Sequence, residues 1–186
     1  IGAAHGMDLM FVTKKLKPEW LHEAIERGRA KFGVRGTYEP KTSRDVLRHL
    51  RKGGTIGMIL DQYSGPPVGV RVPVFGVPVG TSMALATFAR RTNAPILPVV
   101  NYRTRDGKVV VEIRPEVKWI EEPVSDMESK RQETMHELAV NTAHYASIVE
   151  RDILDHPDQW LWTHRRFKGD LSPIKENEWS SGRVRR

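Results

Sequence analysis

Cysteine is missing from all 186 residues, and that single absence removes a disulfide framework, thiolate–zinc sites and a thiol nucleophile together. Long apolar runs are missing as well. No stretch approaches the roughly 18 residues of a spanning helix, so any transmembrane anchor is expected upstream of Ile1. The opening Ile1-Gly2-Ala3-Ala4 has neither the charged start nor the apolar core of a signal peptide and reads as an interior point of a longer chain. There is no internal repeat and no metal-ligand cluster of the usual spacing. Acidic charge is the scarcer sign: 23 Asp and Glu against 30 Lys and Arg leave a net +7. That balance favours an anionic partner, whether nucleic acid, an acidic protein or an anionic membrane surface.

What is present fits one packed domain: 39% hydrophobic residues with 15 Gly and 12 Pro. Leu9 to Val12 reads as a strand delivering the basic loop Lys14-Lys15-Leu16-Lys17-Pro18. Helical spacing of Trp20, Leu21, Ala24 and Ile25 predicts a helix over 19–32 with Gly33 at its C-terminal cap. A second helix starts from Ser43 as N-cap, with Val46, Leu47 and Leu50 on one face. Thr55 to Leu60 reads as a buried strand ending at Asp61-Gln62. From Tyr63 to Gly80 the chain is rich in Gly, Pro and Val without a helical period, and a long ordered loop or extended excursion is expected. Thr81 or Ser82 caps the next helix, which carries Ala84, Leu85, Phe88 and Ala89 on one face. The Asp106-Gly107 turn joins two strands, Pro95 to Tyr102 and Lys108 to Ile113. A helix from about Met127 to Leu154 follows, with Leu138, Thr142, Tyr145, Ile148 and Val149 on its apolar side. The polar stretch from Gly169 to Arg186 reads as a loosely ordered tail. Strands alternating with helices predict an α/β fold with a mixed, mostly parallel sheet flanked by helices.

Four blocks, taken in order, resemble the bacterial lipid A biosynthesis (lauroyl/myristoyl) acyltransferases, a branch of the lysophospholipid/glycerolipid acyltransferases. The first is Val12 to Gly33, with its basic pair and Arg27-Gly28-Arg29. The second is Gly57-Met58-Ile59-Leu60-Asp61-Gln62, continuing through Val72-Pro73-Val74-Phe75-Gly76 and Pro78-Val79-Gly80-Thr81. Ala89-Arg90-Arg91-Thr92-Asn93-Ala94-Pro95-Ile96-Leu97-Pro98 is the third. Pro157-Asp158-Gln159-Trp160-Leu161-Trp162-Thr163-His164-Arg165-Arg166-Phe167-Lys168 is the last. Each string is weak alone, and their order makes the set specific. One departure is Lys14-Lys15 where the family tends to have Arg-Pro. The larger one is that none of the seven histidines has an acid five positions on, although the family is known by His-x-x-x-x-Glu/Asp. Aligning the basic-loop block places that motif roughly ten residues before Ile1. No catalytic residue is therefore expected within the chain.

The resemblance implies acyl transfer to a hydroxyl of a lipid A precursor or related glycolipid. The acyl chain would ride on phosphopantetheine, either of an acidic acyl carrier protein or of coenzyme A, with no bound cofactor or metal. A hydroxyl is a poor nucleophile at neutral pH, so the missing imidazole–carboxylate pair takes its proton. In this chain Lys14, Lys15, Asp61, Gln62 and Thr81 are the candidate substrate ligands. Lys14 and Lys15 offer cations to a phosphate, or form a solvated basic turn. Asp61 is a ligand carboxylate or the cap of the following loop, and Thr81 is a substrate contact or a helix cap. Arg27, Trp160, Trp162, Arg165, Arg166 and Lys168 combine cations and indoles as a head-group boundary demands. Trp160 equally suits a core anchor, and Arg27 the outer face of a helix. His164, amid basic residues, is disfavoured as a catalyst.

The expected organisation is an acyltransferase domain over 1–168 and a tail over 169–186, at the cytoplasmic face of the inner membrane. Three rivals stay open: a lysophospholipid (glycerol-phosphate) acyltransferase, a non-catalytic relative, and a basic nucleic-acid-binding domain. The last lacks any reader motif, so no nucleic-acid partner is expected.

Overall fold

The computed structural model describes residues 6–122, 130–175 and 178–179. The chain divides into two compact units, Ile1–Ile59 with Arg90–Ala94, and Leu60–Ala89 with Pro95–Arg186.

The first unit alternates strand and helix: β1 (Leu9–Val12), α1 (Glu19–Lys31), β2 (Arg35–Thr37), α2 (Thr42–Arg51) and β3 (Thr55–Gly57). The strands order β2-β1-β3 and pair in parallel, with helices as the crossovers that parallel pairing requires. Helix α1 closes as anticipated: Gly33 takes φ +70° and its N–H bonds Ala30 O at 3.0 Å. Helix α2 differs, beginning at Thr42 without a side-chain cap, so Ser43 lies inside its first turn. Val46 of α2 is fully buried, and His49 Nε2 meets the Asp8 carbonyl at 2.9 Å, tying this helix to the start of β1.

The second unit contains β4 (Gly69–Val74), β5 (Val77–Ser82), α3 (Ala84–Thr92, its last residues grouped with the first unit), β6 (Val99–Arg103), β7 (Val109–Ile113) and α4 (Lys130–Asp155). The expected hairpin is present as β6–β7, turning at Gly107 with φ +84°. Helix α4 matches the predicted span where it is described, and residues 127–129 lie outside the described ones.

The segment from Tyr63 to Gly80 takes the extended form of the two expected and pairs with itself, supplying most of the antiparallel hairpin β4–β5, from Gly69↔Ser82 to Val74↔Val77. Phe75 and Gly76 form the two-residue turn with φ 49° and 73°, the left-handed pair that a tight hairpin prefers. Pro73 faces Pro78 in the register. That pair adjoins the turn-closing, hydrogen-bonded pair, so it occupies a position where neither residue owes the ladder an N–H, and the prolines are tolerated. Val72, Val74 and Val79 then bury against Ala146 of α4. Met83, Ala86, Leu138 and Tyr145 form a second cluster between α3 and α4.

The stretch after Lys168 is likewise not loose where it is described. Arg71 of β4 forks onto Glu178 with two 2.6 Å bonds and donates to the carbonyls of Asp170 and Ser172 at 3.0 and 2.9 Å. Trp179 returns its indole N–H to Arg71 O at 2.9 Å. The basic end, Arg183-Val184-Arg185-Arg186, lies outside the described residues.

Candidate functional site

Asp61 and Gln62 do not end a strand, because β3 stops at Gly57; they open the second unit. Their position is fixed by the segment 160–166 and by the end of β5. Asp61 Oδ2 accepts the Trp160 indole N–H at 3.1 Å, while Oδ1 is buried without a hydrogen-bond partner. Gln62 turns its side chain to solvent and its carbonyl inward, onto Arg166 Nη1 at 2.7 Å. The same nitrogen donates to Gly80 O at 2.8 Å, and Nη2 donates to Thr81 Oγ1 at 2.7 Å. Gly80 O also accepts the Ser64 N–H at 3.0 Å. A side chain at residue 80 would stand 2.8 Å from Ser64 O and 2.9 Å from the Tyr63 ring, so the close approach of these backbones requires glycine.

Arg166 is only 3% exposed. A guanidinium at that depth is tolerated when acceptors surround it and an opposite charge is near. Burial lowers its pKa from the ordinary arginine value, and the Asp61 charge pulls the other way. Arg166 was expected at the head-group boundary. That expectation is corrected, since its bonds to Gln62, Gly80 and Thr81 and its depth leave it no lipid to meet. Thr81 is corrected too: it is fully buried, accepts from Arg166 and donates to Val79 O at 3.2 Å, so it is scaffold and not a substrate contact. The helix cap comes from its neighbour, Ser82 Oγ accepting the Ala84 N–H at 3.2 Å.

Trp160 is half-buried, consistent with its bond to Asp61, and sits edge-on to Trp162 with ring centroids 4.6 Å apart. Trp162, Arg165 and Lys168 are exposed. Lys168 Nζ lies 4.7 Å above the Tyr63 ring, a cation–π contact. His164 Nδ1 is buried without a partner, so two polar atoms of this region, Asp61 Oδ1 and His164 Nδ1, keep hydrogen-bonding capacity. The arrangement is a carboxylate oriented by an indole, backed by a buried cation, with one oxygen unspent.

Lys14, Lys15 and Arg27 belong to the first unit. Both lysines follow β1 on an exposed turn, and Lys15 lies 3.7 Å from Glu19. Arg27 is exposed on α1, 3.5 Å from Glu23, as an outer-face residue would be.

Gln159 is a structural residue that sequence reasoning assigned no role. Its side-chain amide pairs with the Arg103 backbone in both directions, accepting at 2.7 Å and donating at 2.9 Å. Beside it His156 stacks on Tyr102 at 4.0 Å. The Gln-Trp-Leu-Trp string marked the segment as special, but the partner backbone 56 residues away leaves no trace in local sequence.

Residues 3–169 match the family described as bacterial lipid A biosynthesis acyltransferase. The chain is 30% identical over 131 residues to the lipid A biosynthesis lauroyltransferase of Escherichia coli (strain K12), covering 69% of this chain and 38% of that protein. It is 27% identical over 136 residues to the lipid A biosynthesis palmitoleoyltransferase of the same organism, covering 72% and 39%. The lipid A biosynthesis acyltransferase of Shigella flexneri gives the same identity and coverage. The chain thus spans just under two fifths of the length of these curated relatives.

Proposed function

Because the chain belongs to the bacterial lipid A biosynthesis acyltransferase family, we propose that the whole protein transfers a fatty acyl group from a phosphopantetheine thioester to a hydroxyl of a lipid A precursor. The acceptor oxygen forms the new ester bond, the carbon–sulfur bond breaks, and the carrier leaves as a thiol. The base is an imidazole–carboxylate pair of the His-x-x-x-x-Glu/Asp type, which these 186 residues do not contain. The family match across residues 3–169 carries this reading.

Within this chain Asp61 is the acceptor-binding group. Its Oδ2 is committed to Trp160, and its Oδ1, buried and without a partner, is the oxygen left to accept one hydrogen bond from a sugar hydroxyl that enters the site and to orient it. Arg166, Gln62 and Thr81 build the scaffold behind it. In the first unit, Lys14 and Lys15 offer cations to a phosphate. The donor is acyl carrier protein, whose acidic surface suits a chain of net charge +7. The reaction takes place at the cytoplasmic face of the inner membrane. None of the described helices is long and apolar enough to cross a membrane.

The whole protein incubated with acyl carrier protein charged with laurate, palmitoleate or another acyl chain, and with a phosphorylated lipid A precursor, is expected to add one acyl mass to the precursor. Asp61→Asn is expected to lower kcat/KM about 10- to 100-fold, the worth of a hydrogen bond to a charged acceptor. Transfer to a lysophospholipid and none to the lipid A precursor would move the assignment to the glycerol-phosphate branch. No transfer to either acceptor would overturn it.

A further inference from the structure

Four exposed apolar side chains fall within eleven consecutive residues of the second unit: Leu161, Trp162, Phe167 and Leu171, exposed by 64%, 56%, 37% and 42%. Soluble surfaces scatter such residues singly, and clustering marks an interaction site. Three features distinguish this cluster from a mobile loop. Arg166, between the exposed Arg165 and Phe167, is pinned at 3% exposure by bonds to Gln62, Gly80 and Thr81. Trp162 donates its indole N–H to Pro157 O at 2.5 Å. Phe75, at the tip of the β4–β5 hairpin, lies against both Trp162 and Phe167 with centroids 6.4 and 6.5 Å away, and its own N–H is held by Glu150. The apolar faces are held outward by a buried clamp, so docking requires little further ordering.

The charges decide the occupant. Arg165 and Lys168 are exposed among the apolar side chains. Of the acids along the same stretch, Asp170 is paired with Arg71 at 3.2 Å, and Asp158 precedes the cluster on the 157–159 turn. Exposed indole, phenyl and leucyl groups interspersed with two exposed cations along 161–168 match the boundary of an anionic bilayer, where acyl chains and phosphates are met at neighbouring depths. An acidic protein surface answers the cations but not the apolar tips.

We propose that residues 161–168, together with the Phe75 turn, form a prebuilt platform that docks this chain onto an anionic lipid bilayer. The inference deepens the acyltransferase reading by giving the enzyme a surface from which to reach a lipid acceptor, but its test needs no turnover.

The absence of cysteine permits site-specific labelling. An environment-sensitive NBD label is placed on Leu161→Cys and, as comparison, on Val109→Cys, which is 57% exposed on β7. With vesicles of phosphatidylethanolamine and phosphatidylglycerol, the label at residue 161 is expected to brighten several-fold and shift to the blue, and the label at residue 109 to stay unchanged. Adding R165Q and K168Q should weaken vesicle partitioning about thirty-fold, which corresponds to about 1 kcal/mol for each cation near the surface. Four results would each overturn the proposal: no response at residue 161, an equal response at residue 109, an equal response with phosphatidylcholine vesicles, or partitioning indifferent to the double substitution. A response at residue 161 to acyl carrier protein or to protein concentration alone, without vesicles, would reassign the surface to a protein partner. A whole protein, with the residues beyond this chain present, that docks in this way and transfers no acyl group would sink the proposed function and leave the platform standing.

Discussion

The two hairpins of the second unit draw on the same residues and occupy opposite environments. In β4–β5 the exposures of Val72, Val74 and Val79 are 0%, 4% and 0%; in β6–β7 those of Val99, Val109 and Ile113 are 59%, 57% and 60%. Both are valine-rich ribbons with a short turn containing a left-handed glycine. Strand propensity therefore does not set depth. Distant side chains do: Arg71 of β4 holds the residues after Lys168, Arg166 holds the end of β5, and Ala146 of α4 covers the valines. Strand β6 is fastened at Arg103 by Gln159, and the face carrying Val99, Val111 and Ile113 remains open.

The sharpest way to break this contrast is to remove the clamp. Arg166→Met deletes a buried cation and leaves Gln62 O and Thr81 Oγ1 without their donor, with Gly80 O keeping only Ser64. It should cost about 3–5 kcal/mol in urea unfolding. Arg165→Met, one residue away and exposed, should stay within about 0.5 kcal/mol. Equal costs for the two would show that the buried arginine is not what anchors β5.

Next in size is a paired truncation. Val79→Ala removes two buried carbons from the β4–β5 core and should cost about 2 kcal/mol, transfer and cavity together. Val111→Ala on the open face of β7 should cost less than about 0.5 kcal/mol. If Val111→Ala costs as much as Val79→Ala, the β6–β7 face is covered in solution and the comparison fails.

The same contrast explains what could be read from the sequence. Hairpin β6–β7 was legible because its determinants are local: Asp106-Gly107 between alternating strands. Hairpin β4–β5 read only as an ordered loop or extended excursion, without its pairing, because Pro73, Pro78, Gly65, Gly69 and Gly76 are breakers in isolation. Their acceptability depends on the pairing of Pro73 with Pro78 and on the left-handed turn at residues 75–76, which are properties of the paired state. In the candidate site each of Asp61, Gln62, Thr81, Trp160 and Arg166 was singled out, but in two separate groups, the first three as substrate ligands and the last two as head-group contacts. The division of labour among them was not legible, since it rests on contacts across 85 to 104 residues, such as Arg166 to Thr81 and to Gln62. Resemblance marks residues that matter; burial tells which of them face a ligand.

A smaller effect should appear in acid. The two bonds from Arg71 hold the Glu178 carboxyl below its ordinary pKa of 4.5. A depressed carboxylate contributes stability that is fully present above 4.5 and lost as pH falls through the folded-state value. At neutral pH the contribution should be about 1.5 kcal/mol, the low end for a hydrogen bond to a charged group. Exchange of the Trp179 indole hydrogen, bonded to Arg71 O, should quicken below pH 4.5, and Glu178→Gln should remove that pH dependence while raising exchange at neutral pH. Acid-independent exchange in the unsubstituted chain would show that the tail is held without the ion pair.

The smallest expected effect probes the open hairpin at its turn. Gly107 has φ +84°, and a methyl group added there would find no atom within 4 Å. The cost of Gly107→Ala is therefore backbone strain alone, about 1 kcal/mol, with no collision to add. Gly107→Asn should recover part of it, because asparagine enters the left-handed region more readily than alanine. Urea denaturation of the three proteins separates the possibilities. A loss in Gly107→Ala as large as that from Arg166→Met would mean that the β6–β7 turn is coupled to the core as strongly as β5 is. The difference between the hairpins would then lie in exposure and not in how each is bound to the rest of its unit.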